Sequence, residues 1–329
     1  MYTKRIYRLL SLVVFCCGVF SHAIAQNNVA NYPNKVVSLV VPFTSGSGSD
    51  TISRIISPKL SERWKQAVIV DNRAGASGNI GADHVAKSSP DGYTILMAID
   101  TMTMTPAVYK SLPFDPIKDL DPIARLATSS YALAVTSTLP AKDMNSLMAL
   151  IKSKPGQYNY GSPGNGTPHH LSMELLKSMK GLDIVHVPYK GIAGATTDLI
   201  GGQVQVMFAT FNSLLPFAKA GKLKMIAVTG AKRSDLMPDV PTFTEQGIAE
   251  LENLYPWYGV LVPAGTPKEI QNKLFNDYSA VMKLPEVEKQ LNELGIQVRL
   301  SNAEQLKEII QSDIARWKKV VKDANIQTN

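Results

Sequence analysis

The sequence predicts an α/β protein made of two successive strand–helix series. Three observations carry this. Hydrophobic runs of strand length alternate with helical-period segments, starting with Val36–Val41 and then Ile52, Ile55, Ile56 and Leu60. A second series of the same kind begins after the proline-rich Leu112–Pro122. In each series a loop of small polar residues and glycines joins a strand to a helix: Thr44–Ser49 in the first, Ser162–Thr167 in the second. With 329 residues, 45% hydrophobic and 19% charged, the chain has room for two modest domains.

The N-terminus reads separately. Lys4, Arg5 and Arg8 precede the apolar run Leu9–Phe20 and an Ala23-Ile24-Ala25 cleavage site. This is the pattern of a secretory signal peptide over 1–25, cut before Gln26, and its apolar run is too short to span a membrane. Phe15 and Cys16 precede the two cysteines, where lipoprotein processing wants a small residue. Removing the leader leaves 31 basic and 27 acidic residues, a mild net +4, and no cysteine. That composition argues against a nucleic-acid surface, disulfides and thiolate chemistry, and it suits a bacterial periplasm.

The elements follow in order. After the first helix, Ala67–Val70 is a short strand. Gly75, Gly78 and Gly81 form a G-x-x-G-x-x-G entry to a helix over Ile80–Lys87, a spacing that differs from the dinucleotide fingerprint. Pro90–Gly92 is a turn, Tyr93–Ala98 a strand and Asp100–Thr105 a polar loop. Ile123–Thr128 and Tyr131–Thr136 are strands with a crossover between domains near 126–130. The second series reads as helix Met144–Ser153, strand Tyr158–Gly161, helix Pro168–Met179, strand Ile184–Val187, loop and helix Gly191–Gly202, strand Val204–Phe208, helix Phe217–Ala220 and strand Lys224–Val228. A return near 247–257 leads to strand Gly259–Val262 and helices Lys268–Met282, Glu286–Leu294 and Ala303–Ala324. Trp317, with Ile310, Ile314 and Val321, reads as core. The domains expected are 26–127 with 250–329, and 128–249.

Each glycine-rich loop leads into a helix N-terminus, where unpaired N–H groups and the dipole favour an anion. Either loop also reads as an ordinary capped helix, with Asp50 or Ser49 capping the first and Thr167, before Pro168, the second. If the lobes face each other, the two N-termini could hold a carboxylate between them. His169, His170 and Glu174 supply too few ligands for a metal, and His84 and His186 are isolated. No G-x-S-x-G occurs, so a secreted serine hydrolase would have to use Ser45 or Ser47. Tyr189 and Lys190 could face a cleft or solvent.

Taken together, PFTSGSGSD, DNRAGASGNIGADHVAKSSPDGYTIL, YGSPGNGTPHHLSMELL, VPYKGIAGATTDLIGGQVQVMF and KAGKLKMIAVTG resemble, in order and spacing, the Bug-type (TctC-like) extracytoplasmic receptors of tripartite tricarboxylate transporters. The resemblance covers nearly all of the chain after the leader. It implies a two-lobed periplasmic binding protein, type II-like with a Venus-flytrap motion, each lobe a mostly parallel sheet flanked by helices. It implies no catalysis and no cofactor, a small carboxylate ligand, an inner-membrane permease as partner and a monomer. The ligand residues it implies are Phe43, Thr44, Ser45 and Ser49; Thr101; Ser162, Gly164, Thr167 and His169; and Ala209 and Thr210. Two positions depart from the family pattern. Gly46-Ser47 stands where a Gly-Gly pair is common, and Ala209 where an acidic residue can face a ligand's amino group. The second departure favours a plain or aromatic carboxylate over an amino acid. A sensor role, docking on a membrane signalling protein, would use the same closed surface.

Overall fold

A computed structural model describes residues 31–323 and 326; the leader read at 1–25 lies outside them. The chain opens with β1 (Val37–Val41), α1 (Gly48–Trp64), β2 (Val68–Asn72), α2 (Asn79–Ala86), β3 (Thr94–Ile99) and α3 (Thr101–Val108). β4 (Leu120–Thr128) and β5 (Tyr131–Thr136) follow almost without a break. The second series is α4 (Met144–Ser153), β6 (Asn159–Ser162), α5 (Pro168–Lys180), β7 (Val185–Pro188), α6 (Ile192–Ile200), β8 (Val206–Thr210), α7 (Phe211–Lys219) and β9 (Leu223–Val228). A long connection then reaches β10 (Trp257–Pro263), α8 (Lys268–Met282), α9 (Pro285–Asn292), β11 (Gln297–Ser301) and α10 (Ala303–Asp323).

The strands form two sheets, ordered β11-β4-β10-β3-β1-β2 and β7-β6-β8-β5-β9. Each is mixed. β1 is parallel to β2 and β3, whereas β10 is antiparallel to β3 and β4, and β11 to β4. In the second sheet β6 is parallel to β7 and β8, whereas β5 is antiparallel to β8 and β9. The strands through which the chain changes sheets are neighbours in each: β4 beside β10, and β5 between β8 and β9. The crossings therefore share one side, and β1–β2 and β6–β7 lie towards the other.

Local chemistry accounts for the helix limits. Ser47 caps α1 by accepting the Asp50 amide, Thr167 caps α5 with Pro168 at its first position, and Gly181 ends α5 in the left-handed region. Asp143 and Ser146 close a capping box on α4. The structure corrects three readings. The expected polar loop Asp100–Thr105 is mostly helix α3, with the Thr103 hydroxyl bonded to the Asp100 carbonyl at 2.6 Å. Its Thr-Met alternation and Pro106 hide the helical period. α7 begins at Phe211 rather than Phe217 and carries Pro216 inside it, a residue that in the sequence pattern reads as a break. β11 was not anticipated; its polar alternation suits the sheet edge it occupies.

The first core gathers Leu39, Val41, Ile52, Ile56, Leu60, Tyr258, Leu274 and Tyr278 under β1, β3 and β10. The second gathers Tyr131, Leu133, Leu171, Phe208 and Phe243. It also takes in Met104 and Val108 from α3, and Trp317, Val321 and Ile326 from the chain's end. Leu306, Ile310 and Ile314, earlier in α10, pack with Trp257 and Leu261 instead. α10 therefore spans both units. Trp317 is 1% exposed, and Trp317→Ala is expected to cost about 3–5 kcal/mol. Urea unfolding followed by circular dichroism measures this, and a loss below about 1 kcal/mol would mean that the end of α10 does not hold the second core.

Candidate functional site

The loop after β1 is fixed by a buried carboxylate. Asp50, 3% exposed, accepts from the Gly46 amide, Arg54 Nε and Asn72 Nδ2, each at 3.0 Å. Burial pushes its pKa up, but the Arg54 hydrogen bond, with those from Gly46 and Asn72, outweighs this and holds it below the usual carboxylate value. Asn72, ending β2, also donates to the Phe43 carbonyl at 3.0 Å, so Phe43–Ser47 is stapled to its neighbouring strand. Ser47 is the cap, in place of the Asp50 or Ser49 that the sequence suggested. Gly48 and Ser49, the first helical residues, carry amides with no helical acceptor. The Ser49 hydroxyl meets that of Ser47 at 3.2 Å, and exposed Ser45 faces Asn72 Oδ1 at 3.5 Å. Thr44 Oγ1 is buried without a partner, and its side chain abuts Gly191 of the second unit, where a Cβ would come within 2.7 Å.

The loop after β6 is held from within. Ser162 Oγ lies 2.7 Å from His186 Nε2 and accepts the Gly164 amide at 3.2 Å. Thr167 donates to the Gly164 carbonyl at 2.7 Å while capping α5. Both hydroxyls are therefore engaged inside the loop, and Gly164 is packed against Ser77. His169 and His170 point apart. His170 Nδ1 accepts the Gly166 amide and its ring stacks on His186 at 4.3 Å. His169 lies edge-on to Tyr131 with Nδ1 buried and unpartnered. Burial pushes their pKa values down to about 4 and about 3, so both are neutral at pH 7.

Between the loops, residues that the sequence reading missed join the sheets. Tyr131, on β5, donates to Asp100 Oδ2 at 2.5 Å, just beyond β3. Tyr258, on β10, reaches Asn212 Oδ1 on α7 at 3.4 Å, and its hydroxyl lies 2.2 Å from where a Cβ on Gly48 would be. Asp100 Oδ1, Thr101 Oγ1 and Thr105 Oγ1 are buried without partners. Burial pushes the Asp100 pKa up to about 8; Tyr131 and Arg316 lower it and Asp313 raises it. Thr210 precedes α7 and bonds Ser213 at 3.0 Å, whereas Ala209 packs into the core with Ala132, Ala195 and Phe211. The only hint of these residues in the sequence is polar or phenolic character at strand ends; their partners are distant in the chain.

The helices α1, α3, α5 and α7 thus begin among buried hydroxyls where the two sheets meet, an arrangement that offers donors to an anion without a cationic side chain. Neither Ser45 nor Ser47 is placed as a nucleophile: the first faces Asn72 and the second caps a helix. Ser162, which does meet a histidine, is fully buried. The fold and this junction are those of a two-unit solute-binding receptor.

The chain belongs to the tripartite tricarboxylate transporter receptor family, whose family model matches residues 52–326. It is 33% identical over 299 residues to the UPF0065 protein of the tcbD–tcbE intergenic region of Pseudomonas sp. strain P51, covering 91% of this chain and 89% of that one. Its fold is similar to R. palustris Rpa4515 with adipate (TM-score 0.87, 35% identity, 91% of this chain and 100% of that one). It is also similar to MatC (Rpa3494) from Rhodopseudomonas palustris with bound malate (TM-score 0.83, 30% identity, 88% and 100%). The family is one of receptors, and the protein is a receptor rather than an enzyme.

Two predictions follow from this geometry. Gly48→Ala forces its methyl onto the Tyr258 hydroxyl, and a destabilisation of about 1–3 kcal/mol is expected, relieved in part by Tyr258→Phe; thermal melts of the single and double variants test it. Asp100 ionises near pH 4 when unfolded but near pH 8 when folded. The native state therefore binds the extra proton between those values, and stability contributed here falls as pH rises from about 4 to about 8. Asp100→Asn should flatten that part of the melting-temperature profile; an unchanged slope would show that Asp100 does not titrate there.

Proposed function

We propose that this protein is a periplasmic receptor that captures a small organic carboxylate between its two units and delivers it to the inner-membrane permease of a tripartite transporter, acting as a monomer. The observation that carries this reading is the set of unpartnered buried polar atoms, Thr44 Oγ1, Thr101 Oγ1, Thr105 Oγ1 and His169 Nδ1, in the N-terminal regions of α1, α3 and α5. Buried donors left without a partner are costly, and a ligand carboxylate would satisfy them. Asp100, neutral below about pH 8, adds no negative charge to repel an anion. Two of the proteins above were seen with adipate and malate, both dicarboxylates.

In this reading the leader is removed after Ala25, and the lobes are 26–127 with 250–329, and 128–249, with α10 anchored in both. Phe43, Thr44, Ser45, Ser49, Thr101, Gly164, His169 and Thr210 face the ligand. Ser162 and Thr167 shape the second loop, and Ala209 leaves no acidic group for a ligand's amine. Closure replaces water around the carboxylate by fixed donors.

A thermal-shift screen of adipate, malate, citrate, benzoate and sugars tests the reading. A carboxylate at a hundredfold over its dissociation constant adds about 2.7 kcal/mol of stability. Thr101→Val should weaken that carboxylate about tenfold in calorimetric titration without lowering the melting temperature of the free protein. A shift with sugars and none with any carboxylate would overturn the proposal.

A further inference from the structure

The glycine-rich stretch Gly75–Gly81 has no role in the reading above, yet it reaches across the junction. Gly75, Ala76, Ser77 and Gly78 all have positive φ, at 135°, 46°, 57° and 92°. Glycine accommodates this at both ends. Ala76 and Ser77 do not, so two consecutive non-glycine residues are held in the left-handed region, a strain that persists only where surrounding contacts enforce it. The turn thrusts Ser77 out of the first unit. Its Oγ donates to the Asn165 carbonyl, in the loop after β6, at 2.5 Å. With that proton committed, the Tyr109 hydroxyl, 3.1 Å away, is the donor to Ser77 Oγ. The receiving loop is shaped to fit. Gly164 has no room for a Cβ, which would lie 2.8 Å from Ser77 Oγ, and Gly166 is packed against Val108 and Tyr109. Ser77 is 7% exposed in this arrangement. The contact lies on the β1–β2 and β6–β7 side, away from the strands where the chain crosses between sheets.

We infer that Ser77 is a positioning residue that latches the closed state, docking its hydroxyl in the Gly164–Gly166 notch and so prolonging ligand retention. This rests on the receptor reading. It gives the Gly75–Gly81 motif the task of carrying one hydroxyl across the cleft. The left-handed turn makes the latch a local strain that the interlobe hydrogen bond offsets when the lobes are shut.

The test is the interlobe distance distribution by pulsed electron paramagnetic resonance. Nitroxides are placed at Ser89→Cys in the first unit and Ser178→Cys in the second, in the chain lacking the leader and its two cysteines. Spectra are taken without ligand and with excess adipate or malate. Ser77→Gly accepts the left-handed backbone and removes only the hydroxyl, Ser77→Ala removes the hydroxyl and keeps the strain, and Tyr109→Phe removes the second donor. Both Ser77 variants should lower the ratio of short to long distances roughly three- to tenfold, the worth of one hydrogen bond, with Tyr109→Phe in the same direction. The melting temperature of Ser77→Gly should not fall, which separates a latch from a structural role. Distributions that superimpose on the parent's, or a shift in Ser77→Ala with none in Ser77→Gly, would overturn the inference. Failure of the receptor reading would show differently: the parent's distances would ignore both carboxylates, while the ligand-free variants still decide the latch.

Discussion

Two buried phenols set the geometry of the junction. Tyr131 and Tyr258 each leave a strand of one sheet and end on a polar atom of the other unit, Asp100 and Asn212. A buried hydroxyl without a partner is costly, so each tyrosine ties its strand to a group it can satisfy only when the two units are together. The constraint propagates outward. Because the Tyr258 hydroxyl occupies the space beside the first turn of α1, position 48 has no room for a side chain. Because Tyr131 holds Asp100, the chain leaving β3 turns directly into α3, and α3 is carried onto the second core through Met104 and Val108.

Asp50 and Asp100 both lie at this junction, and neither acts there as a free charge. Asp50 is ionised, but its hydrogen bonds go to Gly46, Arg54 and Asn72, which places its charge inside the loop it holds. Asp100 is neutralised by burial. His169, His170 and His186 are neutral for the same reason. What remains on offer is backbone amides, hydroxyls and one imidazole nitrogen. Recognition built from such groups depends on where the partner's acceptors fall rather than on long-range attraction, and it is screened little by salt.

The strand-loop-helix pattern was legible because strand, glycine-rich loop and helix are all local signals, and the Thr167-Pro168 start of α5 was read directly. The cap of α1 was not. Ser-Gly-Ser-Gly-Ser-Asp offers several caps of similar quality, and the choice falls to Ser47 because Asn72 and Arg54 draw the Asp50 carboxylate away. α3 was hidden by its Thr-Met alternation and is stabilised by packing against α10, roughly two hundred residues later in the chain. Asp100, Tyr131 and Tyr258 were invisible as site residues because their partners lie 31 and 46 positions away. Strand patterning says that such residues are buried, and nothing about what they touch.

The final helix constrains how the two units can move. Between Ile314 and Trp317, α10 passes from the core beside Trp257 to the core beneath β5 and β8. An α-helix bends reluctantly without a proline or glycine, and α10 contains neither. A rotation between the units therefore has to leave that stretch of α10 nearly fixed and take its flexure elsewhere, in Ser129–Ser130 and in the long connection from β9 to β10. The crossing side is also close-packed: the Ser129 hydroxyl bonds the Gly295 carbonyl at 2.9 Å, and a Cβ on Gly295 would come within 2.6 Å of Phe211. An axis near α10 leaves the largest displacement to the side carrying β1–β2 and β6–β7. Beside α3, which packs on the second core, the loop contacts there are small and polar: Thr44 against Gly191, and Ser77 against Asn165. Such contacts can be made and broken without exposing core, which allows one side of the molecule to open while the other stays packed.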